Sequence, residues 1–249
     1  MKTIVITGAS AGIGAAMARR LARDGNQLAL GARRAEALRA VVGEIEAAAI
    51  TVVADVTRRA DVERLRDEAI RAFGSVDVWI NNAGRGITRS VLELTDADVD
   101  EMMSVNLKSA LYGMQAIVPY FVKRGSGHLI NISSFLARVP IAAHRSAYNA
   151  AKAALNALTS NVRADVAGSG VEISTVMPGL VSTDFAKNVL GTASTTPPPW
   201  TPNAAMKPQT ADEVADAVAE LIEHPRAEIY TNPASREMAR RWFEGLEAI

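Results

Sequence analysis

The sequence predicts a doubly wound α/β architecture, a parallel sheet covered by helices on both faces. Two observations carry this. Short β-branched runs alternate along the chain with longer segments of helical periodicity. A glycine-rich turn follows directly on the first of those runs. With 249 residues, 49% of them hydrophobic, the chain can bury one large core, and no repeat or composition break marks a second. A single domain over residues 1–249 is therefore expected.

The predicted strands are Thr3–Thr7, Gln27–Gly31, Thr51–Ala54, Val76–Ile80, His128–Ser133 and Val171–Met177, with a last one near Glu228–Thr231. Helical patterns lie between them at Gly14–Arg23, Ala35–Ala48, Arg58–Phe73, a long one from Asp98 towards Lys123, and Tyr148–Ala167. Thr210 with Glu213 fits a capping box opening a helix to Glu223, and Thr57 and Thr95 sit at other expected N-caps. A helical tail follows over 234–247. The one irregular region, Asp184–Pro208, holds the run Thr195-Thr196-Pro197-Pro198-Pro199-Trp200. A loop that long in a compact domain is usually functional, and here it predicts a substrate lid.

Composition narrows the function classes. The 27 basic and 27 acidic residues balance, which leaves no electrostatic footprint for nucleic acid or an anionic membrane. The absence of cysteine rules out disulfides, thiolate metal sites and thiol nucleophiles. His128, His144 and His224 show no paired spacing, so no metal is expected. The apolar run Ala110–Val122 falls short of the roughly 20 residues that span a bilayer. The run at the N-terminus is too short for a signal peptide. A soluble, cytoplasmic protein is expected.

The glycine-rich turn reads Thr7-Gly8-Ala9-Ser10-Ala11-Gly12-Ile13-Gly14. Bare backbone there lets the chain turn sharply and approach a pyrophosphate, which rests on unpaired N–H groups at the helix N-terminus. The fold is thus Rossmann-like, with Gly8, Ser10, Gly12, Ile13 and Gly14 as expected dinucleotide contacts. An enzyme using NAD would place a carboxylate at the end of the second strand to hold the ribose 2′-hydroxyl. This chain instead reads Leu30-Gly31-Ala32-Arg33-Arg34. Two guanidiniums suit a 2′-phosphate, whereas cations merely decorating a helix N-terminus would be poorly sited. The cofactor predicted is NADP(H), with Arg33 first and Arg34 second. Asp55-Val56 and Asn81-Asn82-Ala83-Gly84 follow the third and fourth strands, at the rim where open α/β sheets bind ligands.

Tyr148-Asn149-Ala150-Ala151-Lys152 places a phenol and an ammonium four residues apart on one helix face. A tyrosine of pKa about 10 exchanges protons poorly near neutrality, and a nearby cation favours its phenolate. The pair alone is weak, since such spacing is common on helix surfaces.

Taken in order, the glycine turn, Asn81-Asn82-Ala83-Gly84, Asn106, Ile132-Ser133-Ser134 and the Tyr148–Lys152 pair closely resemble the short-chain dehydrogenase/reductase family. The likeness runs from Thr3 to about Thr231. It implies hydride transfer between nicotinamide and a carbonyl, with Tyr148 as proton donor or acceptor. It implies that Lys152 lowers the tyrosine pKa and holds the ribose hydroxyls, that Ser134 binds the substrate oxygen, and that Asn106 holds a water linking Lys152 to solvent. Pro178-Gly179-Leu180-Val181-Ser182-Thr183 resembles the family's nicotinamide clamp, with Val181 and Thr183 near the carboxamide. Asn82, Ala83 and Gly84 would line the adenosine side, and Asp55 and Val56 the adenine. Two departures stand out. Ser134 precedes Tyr148 by fourteen residues, one more than usual, which places an extra residue in Val139–Arg145 and keeps Ser133 open as the oxygen-binding hydroxyl. The tail also lacks the usual Asp-Gly-Gly stretch, which puts half of the usual tetramer interface in doubt.

The resemblance therefore implies a carbonyl reductase or alcohol dehydrogenase acting on a small-molecule ketone or secondary alcohol, as a homodimer or homotetramer. A 3-oxoacyl thioester reductase and a non-catalytic NADP-sensing protein are the alternatives. Phe185, Val189, Leu190, Trp200 and Met206, facing Phe135, Leu136 and Val139, predict an apolar or aromatic substrate. Arg85, Arg138, His144 and Arg145 would instead suit a carboxylate or a thioester tail.

Overall fold

A computed structural model of the chain describes residues 1–142, 144–183, 185, 189–191 and 207–246. The elements run β1 (Thr3–Thr7), α1 (Gly12–Arg23), β2 (Gln27–Ala32), α2 (Ala35–Gly43), β3 (Ala49–Val53), α3 (Arg59–Phe73), β4 (Val78–Asn81), α4 (Asp96–Met103), α5 (Ser109–Arg124), β5 (Gly127–Ile132), α6 (Ser146–Asp165), β6 (Val171–Met177), α7 (Ala211–Glu223), β7 (Glu228–Tyr230) and α8 (Pro233–Leu246). The strands form one seven-stranded sheet in the order β3-β2-β1-β4-β5-β6-β7, every pairing parallel. The predicted doubly wound, Rossmann-like fold is what the chain adopts.

Strand alternation explains the two layers, because successive side chains on a strand point to opposite faces. Ile4 and Ile6 pack with Met17 and Leu21 of α1 and Leu221 of α7. Val5, between them, faces the other layer, with Leu65 of α3, Ile117 of α5 and Leu155 of α6. Both faces being covered, the central strands read as continuous apolar runs. No helix of the described residues is long and apolar enough to cross a membrane.

Several boundaries differ from expectation for physical reasons. The alanine-rich stretch to Ala48 stops being helical at Gly43, and Ala49 already pairs with Leu28 of β2. The long helix from Asp98 is α4 and α5 joined by a π-turn, Ser104–Lys108, in which the Ser109 N–H reaches back to the Ser104 carbonyl. Thr95 and Thr210 cap as expected, with reciprocal bonds to Asp98 and Glu213. Thr57 does not cap α3. Its hydroxyl donates to Asp55 Oδ1 at 2.7 Å, and Arg58 takes the cap position.

A buried polar chain fastens the carboxyl end of the sheet to the helices. Trp79 Nε1 donates to Asn81 Oδ1 at 2.7 Å, and Asn81 Nδ2 donates to Asn131 Oδ1 at 2.9 Å and to the Ala110 carbonyl of α5 at 3.2 Å. Asn131 Nδ2 then donates to Thr159 Oγ1 of α6 at 2.9 Å. Buried amides of this kind must be partnered, so these bonds set the register of α6 against β5.

Candidate active site

The cofactor edge is built from backbone. Gly8 and Gly12 both take positive φ, at 68° and 55°. A Cβ on Gly14 would stand 2.3 Å from the Gly8 carbonyl oxygen, so the turn closes only without a side chain there. Asn82 locks this turn to β4: its Nδ2 donates to the Thr7 carbonyl at 3.0 Å and to the Gly8 carbonyl at 3.3 Å. Thr7 Oγ1 in return accepts from the Asn82 N–H at 3.0 Å and the Ala83 N–H at 3.2 Å. Thr7 is a positioning residue that sequence reasoning missed, since a lone threonine at a strand end carries no pattern.

Arg34 Nη2 donates to Ser10 Oγ at 3.1 Å, which brings together two residues singled out separately. Arg33 is exposed beside it. Asp55 accepts from the Thr57 N–H and hydroxyl, and Val56 is buried in the layer that holds α3. Of the 178–183 segment, the Pro178 carbonyl accepts from the Phe135 N–H at 2.9 Å, and Gly179 lies against Ser235 and Asn232. Val181 bridges to Gln209, and Thr183 lies 3.6 Å from where a Gly12 Cβ would stand. Gln209, also unforeseen, ties the segment to Thr231. An open cleft of about 730 Å³ lies here, lined by Gly12, Ala16, Arg19, Ser182, Thr183 and residues 210–212. A side-chain-free turn at a helix start, a cleft beside it and two arginines fit a dinucleotide phosphate chain.

The other half of the site stands on α6. Tyr148 and Lys152 are both buried on its inner face. Burial, the dominant cause, raises the Tyr148 pKa above its ordinary value, and a hydrogen bond with the Ser134 hydroxyl and the charge of Arg145 lower it part of the way back. The expected lowering by Lys152 is not what this arrangement shows. Lys152 Nζ donates to the Ile132 carbonyl at 2.8 Å and lies 5.9 Å from the Tyr148 ring centroid, while burial pushes its own pKa down to about 8. The groups that shift Tyr148 are thus its burial, Ser134 and Arg145 rather than Lys152.

The two serines separate as strand alternation requires. Ser133 Oγ donates to the Lys152 carbonyl at 3.4 Å, behind the site. Ser134 Oγ accepts from the Leu136 N–H at 3.1 Å and lies near enough to the Tyr148 phenol to lower its pKa. Asn106, in the π-turn, accepts from the Arg85 N–H through Oδ1 at 3.1 Å and donates to the Arg85 carbonyl at 2.9 Å. Gly84 runs between Asn106 and Lys152: a Cβ there would stand 2.9 Å from Asn106 Oδ1 and 3.7 Å from Lys152 Nζ. Asn106, Ser134, Tyr148 and Lys152 thus converge at one end of β4 and β5.

Of the expected lid, Phe185, residues 189–191 and residues 207 and 208 belong to the described part; Trp200 and Met206 lie outside the described residues. The Phe185 ring meets Tyr148 edge to face at 5.9 Å. Leu190 bridges to Ile87, with its N–H on the Gly86 carbonyl at 2.9 Å and its carbonyl taking the Thr88 N–H at 2.8 Å. Of the expected facing wall, Leu136 packs against the Tyr148 cluster, while Phe135 and Val139 are buried in a core cluster with Met238 and Trp242 of α8. The tail therefore folds onto its own chain.

A family model described as short chain dehydrogenase matches residues 2–193. An uncharacterized oxidoreductase of Staphylococcus epidermidis is 31% identical over 224 residues, which is 90% of this chain and 92% of that protein. Among solved structures, an alcohol dehydrogenase from Thermococcus sibiricus complexed with 5-hydroxy-NADP is 30% identical with a TM-score of 0.78, covering 92% of this chain and 95% of that one. A short chain dehydrogenase/reductase from Burkholderia phymatum in complex with NAD is 28% identical with a TM-score of 0.88, covering 99% and 94%. The chain belongs to the short-chain dehydrogenase family and is an oxidoreductase of the CH–OH type.

Proposed function

We propose that the protein is an NADP(H)-dependent carbonyl reductase or alcohol dehydrogenase acting on a ketone or secondary alcohol with an apolar or aromatic body. The observation that carries this is the burial of Tyr148 and Lys152 one turn apart on the inner face of α6, with the Ser134 hydroxyl near the phenol. When bound, the nicotinamide supplies or takes up the hydride. The remaining work falls to the chain. Ser134 and Tyr148 present two hydroxyl donors to one carbonyl oxygen. As the carbonyl carbon gains hydride, the π electron pair moves onto oxygen, which takes the proton of Tyr148. Burial keeps the phenol protonated before reduction, and the Ser134 hydroxyl and the Arg145 charge stabilise the phenolate afterwards. Lys152, freed from Ile132, is assigned to the ribose hydroxyls, and Asn106 to the proton path beyond it.

NADP(H) is supported by Arg33 and Arg34, with Ala32 where a carboxylate would select NAD. Relatives do not decide this, since one is bound to an NADP derivative and another to NAD. Phe185, Val189, Leu136 and Ile87 supply the apolar walls. The functional unit is one domain, assembled as a homodimer or homotetramer.

Steady-state reduction of a ketone panel with NADPH and NADH tests this reading. NADPH should be the better cofactor, and Arg33→Ala should cost about tenfold in KM for NADPH, the effect of one charge-assisted bond, while leaving NADH nearly unchanged. Equal use of both cofactors by the wild type would overturn the cofactor assignment. A clear preference for acyl thioesters would overturn the substrate.

A further inference from the structure

Beside the apolar walls stands a guanidinium with no carboxylate against it among the described residues. Each of the other nearby arginines faces a carboxylate: Arg85 meets Glu101 at 3.2 Å, Arg89 meets Asp98 at 3.2 Å, and Arg138 meets Glu228 at 2.7 Å. Arg145 faces none among the described residues. Among the described residues its side chain donates from Nη1 to the Ile87 carbonyl at 3.1 Å, which leaves further donors of the planar fork unspent. It is also partly withdrawn from water, and burial lowers its pKa.

Its place is set by two independent contacts. Arg145 precedes Tyr148 by three residues at the start of α6, a spacing that puts the two side chains side by side. Across the site, a Cβ on Gly86 would stand 3.0 Å from Arg145 Nη1, 2.9 Å from Phe185 Cε1 and 3.0 Å from Val189 Cγ1. Three side chains from two segments therefore converge over one bare Cα. Two are apolar, one is cationic, and Phe185 also lies against the phenol of Tyr148.

We infer that Arg145 docks an anionic group of the substrate, a carboxylate or similar oxyanion, at the far end of an apolar body whose carbonyl reaches Tyr148 and Ser134. The inference rests on the carbonyl-reductase reading and narrows its substrate to an apolar oxo acid. A half-buried cation that faces no carboxylate among the described residues is unfavourable until an anion arrives, and the guanidinium fork matches a carboxylate bidentately. Anion and carbonyl held at two points fix the ketone's orientation for hydride attack. The competing role for Arg145 is purely structural, as a brace for the Ile87 loop. A brace would serve charged and neutral ketones equally.

Two matched pairs separate these roles: 4-acetylbenzoate with its methyl ester, and 4-oxopentanoate with its methyl ester, each reduced with NADPH by wild type, Arg145→Gln and Arg145→Lys. Calorimetry of 4-acetylbenzoate binding to the NADP⁺-loaded protein accompanies the kinetics. The wild type should prefer at least one acid to its ester by kcat/KM. Arg145→Gln should lower kcat/KM for that acid by about 10- to 100-fold more than for its ester, the loss of a charged hydrogen bond, any loss common to both reflecting the Arg145 charge beside Tyr148, with Arg145→Lys between. Equal rates for acid and ester in both pairs, or equal losses on both in Arg145→Gln, overturn the inference. If no ketone turns over, binding of 4-acetylbenzoate that Arg145→Gln abolishes upholds the anion site and removes the reductase reading; no binding removes the anion site.

Discussion

The two edges of the site are held by different forces. Around the glycine turn, Thr7, Gly8, Asn82 and Ala83 are joined by hydrogen bonds between backbone and short side chains, and space is so tight that a Cβ at Gly8 would stand 2.8 Å from Ala83 Cα. Around Tyr148 the walls are apolar and come from separate segments: Ile87, Met102, Leu136 and Leu190 in one cluster, with Leu136 also reaching Phe135, Val139, Met238 and Trp242 in the next. In the proposed function the first edge is a tightly packed cradle for the cofactor, which does not vary with the substrate. The second is shaped by side chains that can change size without disturbing a hydrogen bond, which is where substrate selectivity belongs.

The largest expected effect comes from breaking the second edge alone. Tyr148→Phe keeps the ring, its contact with Phe185 and its burial, and removes only the exchangeable proton. We predict a kcat loss on the order of 10²- to 10⁴-fold with NADPH affinity nearly unchanged, read by steady-state kinetics and fluorescence titration. Turnover within tenfold of wild type would remove Tyr148 from the proton transfer.

A smaller effect sharpens the comparison by lying at neither edge. His128 sits at the amino end of β5, its Nε2 on Ser174 Oγ at 2.8 Å and its Nδ1 without a partner, and burial pushes its pKa down to about 4. The unfolded chain takes up that proton near pH 6.5. A depressed folded pKa means that the contribution is fully present above about pH 6.5 and is lost as pH falls towards 4, on the order of 3 kcal/mol in all. Urea unfolding of wild type and His128→Gln between pH 7 and 4.5 reads this directly. The variant should show a flatter decline, and parallel declines would assign acid sensitivity to other groups.

The same contrast explains what the sequence made legible. The cradle is local: glycine spacing, Asn82 and the absence of a carboxylate after β2 sit in short segments, and each has a backbone reason to be where it is. The capping boxes at Thr95 and Thr210 are equally local. The π-turn at Ser104–Lys108 was not legible, because one extra residue per turn barely alters apolar periodicity. Nor was the end of α2, where pairing of Ala49 with Leu28 overrides the helix preference of an alanine run. Phe185 was visible as part of a lid, but its edge-to-face contact with Tyr148 depends on how a loop more than thirty residues later folds back. The Tyr148 pKa went the other way from expectation for a similar reason. The Tyr148–Lys152 spacing is visible in sequence, whereas the desolvation that dominates the Tyr148 pKa belongs to the packed site.

The central claim is that this site moves hydride between nicotinamide and a carbonyl carbon. The most direct measurement uses NADPH deuterated at C4 on both faces, a ketone reduced by the wild type, and mass spectrometry of the alcohol. The account predicts one deuterium on the carbinol carbon of every product molecule, and almost no product with Tyr148→Phe. NADPH oxidation without deuterated alcohol, or alcohol whose carbinol hydrogen comes from water, would contradict it.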